Sequence, residues 1–98
     1  MSSPEFRWSS PKAAANAGKH RVSFLEAVTV FADDRALLIE DPDHSFHEQR
    51  FILLGQSATM RLLVVVHCHR ESDDSIRIIS ARRATRSERG IYARGREG

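Results

Sequence analysis

The 98-residue sequence predicts a single α+β domain: an antiparallel β-sheet meander packed by two N-terminal helices and a short C-terminal helix. Three observations lead there. Two segments with helix-start signals precede residue 34. Four strand-like segments then follow one another, and consecutive strands joined by short connections usually pair as neighbours. One of them, Leu62-Leu63-Val64-Val65-Val66, is apolar on both faces and belongs at a covered centre. A chain this short has room for one core, with residues 1–4 and 95–98 expected to fray.

Phe6-Arg7-Trp8 reads as a short aromatic strand. Ser10-Pro11 reads as an N-cap with proline at the first helical position, opening a helix to about Lys19. Ser23 and Glu26 have the spacing of a capping box, and Phe24, Ala27, Val28 and Phe31 recur on one helical face until Asp33-Asp34. Ala36–Glu40, Arg50–Leu54, Arg61–His69 and Ser75–Arg82 are the strands; the second stops at Gly55, and Arg70–Asp74 is a hairpin loop. If that hairpin pairs symmetrically, Arg77 stands opposite His67, and Arg77, Ile79 and Ala81 share a face. Thr85 and Glu88 form another capping box, opening a helix toward Tyr92 in which Gly90 costs about 1 kcal/mol relative to alanine.

Composition narrows the function classes. The single cysteine, Cys68, excludes an internal disulfide and suits a reducing cytoplasm. No apolar leader is visible, and the longest apolar run is far below the ~20 residues of a membrane span. The net charge of +2 is unevenly spread: residues 82–98 carry six arginines against Glu88 and Glu97, whereas residues 33–48 carry six acids against Arg35. Thirteen of the 15 basic residues are arginine, whose planar fork suits phosphate or carboxylate; a GC-rich genome produces the same bias. Phosphate-cradling glycine loops, nucleophile elbows and dinucleotide fingerprints are absent.

Several stretches, taken together, point further. They are Phe6-Arg7-Trp8 with Lys12 and Asn16; Lys19-His20-Arg21-Val22-Ser23-Phe24 with Glu26 and Ala27; and Glu40-Asp41-Pro42-Asp43-His44-Ser45 with Glu48 and Arg50. Gly55, Leu62–Val66, Arg77-Ile78-Ile79-Ser80-Ala81-Arg82, Glu88 and Tyr92 complete the set. In order and spacing the sequence resembles the BrnT family of type II toxin–antitoxin systems. The resemblance implies a RelE-like fold and a cytoplasmic endoribonuclease that cleaves mRNA, at the ribosome or free of it, without a cofactor. It also implies a BrnA-like ribbon-helix-helix antitoxin, a 2:2 heterotetramer with it, and operator DNA bound through the antitoxin. The family usually has glycine where this chain has Arg21, and a residue after a helix commonly takes positive φ. Keeping that conformation with arginine costs ~1 kcal/mol, so the turn between the helices, or the site beside it, is expected to differ.

Metal-independent RNA cleavage needs the 2′-OH deprotonated, the phosphorane charge neutralised and the 5′-oxygen protonated. The resemblance makes Lys19, His20, Arg50, Arg77 and Arg82 the catalytic candidates, with Arg61, Arg83, Arg86 and Tyr92 against RNA. His20 would move protons and the cations would neutralise phosphate. Each has a plainer account. Lys19 and His20 suit a helix C-terminus through its dipole, Glu48 can simply pair with Arg50, and Tyr92 can dock the last helix. His67 and His69, with His44 and His47, offer imidazoles for a metal, but no acid or cysteine at metal spacing accompanies them. The rival reading is a non-catalytic module that binds RNA or antitoxin through the same basic surface.

Overall fold

A computed structural model describes residues 4–41 and 49–95. Strand β1 (Glu5–Arg7) leads into helix α1 (Ser10–His20) and helix α2 (Phe24–Thr29), which continues as a 3₁₀ turn over Val30–Ala32. Strands β2 (Leu37–Glu40), β3 (Gln49–Gln56), β4 (Leu62–Arg70) and β5 (Ser75–Arg83) follow, then helix α3 (Arg86–Arg94). The loop holding His44, His47 and Glu48, and both chain ends, lie outside the described residues.

The sheet has the order β1-β5-β4-β3-β2. Its β2–β5 part is the expected antiparallel meander, whereas β1 joins β5 in parallel. A parallel neighbour is possible because α1, α2 and three strands separate β1 from β5, leaving ample chain for the return. The two-sided apolar strand β4 is central, as its composition requires.

One sheet face carries Leu53, Leu63, Val65, Ile76, Ile78 and Ala81 against Val22, Phe24, Ala27 and Val30 of the α1–α2 layer. The other carries Leu54, Leu62 and Val64, partly covered by Ala84 and Tyr92 as α3 folds back. Gly55 does not end β3; it lies inside it. A Cβ there would come within 2.8 Å of Val30 and Ala36, so its lack of side chain lets the 3₁₀ turn cross β3 closely.

Local sequence explains the helix ends with three adjustments. Ser9, not Ser10, caps α1, its hydroxyl accepting from the Lys12 N–H, so Pro11 falls in the first turn where no N–H partner is needed. Ser23 accepts from the Glu26 N–H, but the Glu26 carboxylate turns away to Arg61 instead of closing the box. Arg21 keeps the left-handed conformation of a glycine cap, with φ 59° and ψ 33°. The Arg21 carbonyl accepts from Arg61 Nη2 at 3.1 Å, which helps hold the strained residue.

α1 also covers a sheet edge. The Asn16 amide donates to the Ala81 carbonyl at 2.8 Å and accepts from the Ala81 N–H at 3.1 Å, taking the place of a neighbouring strand where β1 has ended. It donates to the Val22 carbonyl as well, at 3.0 Å.

Candidate nucleic-acid interface

A bulge decides which arginines share a face. Val66 pairs with Ser80, but His67 pairs with Ile78, so Ile79 is an extra residue on β5. Ile76, Ile78 and Ala81 all reach the helix side as a result. Arg77, Ser80 and Arg82 fall on the opposite, open face. The expected alternation, with Arg77, Ile79 and Ala81 together, is therefore corrected. So is the pairing of Arg77 with His67: the hairpin closes one residue tighter, with Arg70 opposite Ser75, and Arg77 stands opposite Cys68.

That register builds a row of guanidinium groups across four strands. Arg7 pairs with Arg77, Arg77 with Cys68, and Cys68 with Arg50. Arg77 is exposed, its Nη2 4.0 Å from the Cys68 sulfur. Arg50 Nε lies 3.3 Å from Asp41 Oδ2, an ionic contact that lacks the alignment of a hydrogen bond. Arg7 donates to Glu5, whose carboxylate raises the guanidinium's pKa. Nothing in the sequence pattern singled out Arg7, because its place in the row depends on the parallel pairing of β1.

Farther along the open face, Arg82 makes a two-pronged contact with Glu88, at 2.9 and 2.8 Å. Glu88 also accepts from the Thr85 N–H at 2.8 Å, completing the capping box of α3. The Arg82 hydrogen bonds hold the Glu88 carboxyl at about 2, well below its ordinary value, so it is ionised at neutral pH. Arg86 and Arg83 are exposed near this end of β5, Arg83 on the helix side of the sheet through its pairing with Leu63. Arg86 opens α3, where the positive end of the helix dipole leaves a cation without local compensation.

Lys19 and His20 occupy the last turn of α1, on the helix side of the sheet, with Lys19 exposed and His20 half-buried. The five catalytic candidates thus do not surround one cavity. Arg50 and Arg77 stand on the open face toward the β4–β5 turn, Arg82 lies toward the other end of β5, and Lys19 and His20 approach that end from the opposite layer. The link is traceable: Arg61 Nη2 bonds the Arg21 carbonyl, and the neighbouring Leu62 carbonyl accepts from the Ala84 N–H at 2.9 Å.

Two RNA candidates have internal partners. Arg61 is tied to Glu26, whose Oε2 accepts from Arg61 Nε, Ser57 and Thr59 at 2.9, 2.7 and 2.6 Å. The Arg61 hydrogen bonds lower the Glu26 carboxyl to about 2. Tyr92 donates to Asp33 Oδ2 at 2.7 Å, which docks α3 against the 3₁₀ turn. Burial would raise the Asp33 pKa, but hydrogen bonds from Gln56, Tyr92 and Arg35 outweigh it and lower it.

His67 is not a surface base. It is 3% exposed and lies between Phe31, edge-on at 4.8 Å, and Phe51, stacked at 5.8 Å. Burial, with a smaller contribution from His69, lowers its pKa to about 4. It is neutral because of desolvation. His67 and His69 do share a face, yet among the described residues no three His, Cys, Asp or Glu side chains are grouped as metal ligands.

A family model described as "Ribonuclease toxin, BrnT, of type II toxin-antitoxin system" matches residues 8–88. No curated protein is significantly similar in sequence. The crystal structure of the ribonuclease toxin BrnT from Brucella abortus superposes with a TM-score of 0.64 at 17% identity, covering 86% of this chain and all of that one. The fold is therefore α+β and is shared with that toxin.

Proposed function

Since the chain belongs to the BrnT family of ribonuclease toxins of type II toxin–antitoxin systems, we propose that it is an endoribonuclease that cuts mRNA across the open sheet face. The observation that carries this reading is the bulge at Ile79, which sets Arg77 and Arg82 on one face with Arg50 and Arg7. The row spanning Arg7, Arg77 and Arg50 holds successive phosphates of a single strand. Arg82, oriented by Glu88, neutralises the phosphorane as the 2′-oxygen attacks phosphorus and the P–O5′ bond breaks. With a pKa near 2, Glu88 is too weak a base to take the 2′-proton, so it orients Arg82. His20 moves protons at that end of the sheet, with Lys19, Arg83 and Arg86 holding flanking phosphates. No metal takes part. A ribbon-helix-helix antitoxin neutralises the toxin as a 2:2 complex that represses its own operon.

The purified chain should cut RNA in the presence of EDTA and leave 2′,3′-cyclic phosphate ends. Arg82→Ala and His20→Ala should each cost about 100-fold or more in rate. Retention of RNA binding with no cleavage by the unaltered chain would favour the binding module.

A further inference from the structure

We propose that strand β2 is the docking edge for the antitoxin, which adds an extended segment to the sheet there. The inference rests on the toxin–antitoxin reading but does not depend on any side chain assigned to RNA. β2 is the last strand of the sheet among the described residues, paired only with β3. Asp41 N–H donates to the Arg50 carbonyl at 2.8 Å, so in this antiparallel register Leu37 and Ile39 bond toward β3, and the backbone groups of Leu38 and Glu40 point to the open edge. Edges are usually blunted by lysine, proline or inward charge; here the strand is Leu37-Leu38-Ile39-Glu40, with Leu38 60% and Ile39 49% exposed, one on each face. Beside it, a cavity of about 330 Å³ is lined by Phe31, Leu38, Phe51 and His67 among others, with Asp33 as an anionic group and no Lys or Arg. Such a lining rejects RNA and accepts an apolar side chain projecting from an added strand.

Charge chooses the occupant. Residues 33–41 hold four acids, Asp33, Asp34, Glu40 and Asp41, against Arg35 within the segment and Arg50 of β3, which pairs with Asp41, so the two ends of β2 keep a net negative charge. A second copy pairing antiparallel would set its own Glu40 and Asp41 against Asp33 and Asp34. Four residues would also bury far less than the ~1,200 Å² of a stable interface. The occupant that fits is an antitoxin segment, apolar at alternate positions and carrying Lys or Arg at its flanks.

The test takes the antitoxin encoded with this chain, purified, and overlapping synthetic peptides that span it. Hydrogen exchange of the toxin should show the Leu38 and Glu40 amides slowing at least about tenfold on antitoxin binding. Leu38→Pro, which removes the outward N–H but no bond to β3, should weaken the antitoxin and its binding peptide about tenfold or more. Leu38→Thr, which keeps the N–H, should lose less, and both free variants should cut RNA at the unaltered rate. Circular dichroism establishes that Leu38→Pro is folded; should it unfold, exchange in the unaltered complex decides. An antitoxin that binds Leu38→Pro as tightly as the unaltered chain, or that leaves β2 exchanging freely, overturns the inference. So does β2 protection that grows with toxin concentration alone, the mark of a second copy. Failure of the unaltered chain to bind antitoxin at all overturns the toxin–antitoxin reading instead.

Discussion

Arg21 and His67 are each held in a state that their chemistry disfavours. Arg21 sits at φ 59°, where a side chain crowds the following carbonyl and glycine is at ease. Arg21→Gly should stabilise the domain by about 1 kcal/mol, raising Tm by about 4–8 °C in a thermal melt. The Arg61 contact survives that change, because it uses the backbone carbonyl. His67 is the second case. Its folded pKa of about 4 lies below the ordinary 6.5, so the unfolded chain takes up a proton in that window while the native chain does not. Stability is complete above pH 6.5 and falls toward pH 4, by on the order of 3 kcal/mol. His67→Phe should flatten urea-unfolding free energy across that range while keeping the two aromatic contacts of the ring.

At the scale of elements, α1 and α3 are held less by their propensity than by polar anchors to the rest of the fold. For α1 the anchor is Asn16, whose amide satisfies both backbone groups of Ala81. Asn16→Ala leaves a buried donor and acceptor unpaired and should cost about 2–4 kcal/mol by urea denaturation, with faster exchange of the Ala81 amide. For α3 the anchors are Glu88 to Arg82 and Tyr92 to Asp33, which offset the propensity lost at Gly90. Two capping boxes were expected from spacing alone. The one at Thr85 closes as expected, while the one at Ser23 stays half-made because Glu26 finds three side-chain partners on the β3–β4 turn. Spacing registers what is local; it has no access to a competing partner 35 residues away.

For the molecule as a whole, cations and acids separate. The open face and the end of β5 present Arg7, Arg50, Arg77 and Arg82, with Arg83 and Arg86 beside them, while the β2 edge is flanked by acids. RNA and antitoxin can thus occupy different surfaces. Affinity for a non-cleavable 2′-O-methyl RNA should fall steeply with salt, and Arg77→Gln should reduce the log–log slope by about 0.7 in fluorescence anisotropy titrations. An unchanged slope would remove Arg77 from the phosphate path.

The sequence alone settled the element order, the antiparallel β2–β5 meander, the central place of β4, the apolar face of α2 and the cap of α3. All of these rest on periodicity and neighbours within a few residues. Family membership was legible too, since it depends on residues in order rather than in space. Only the tertiary structure decided which arginines share a face, which are tied to Glu26 or Glu88, that His67 is sealed between two phenylalanines, and that β1 joins in parallel. The reason is physical. One bulged residue reverses the facing of every side chain beyond it, and a buried or paired charge is defined by partners far along the chain.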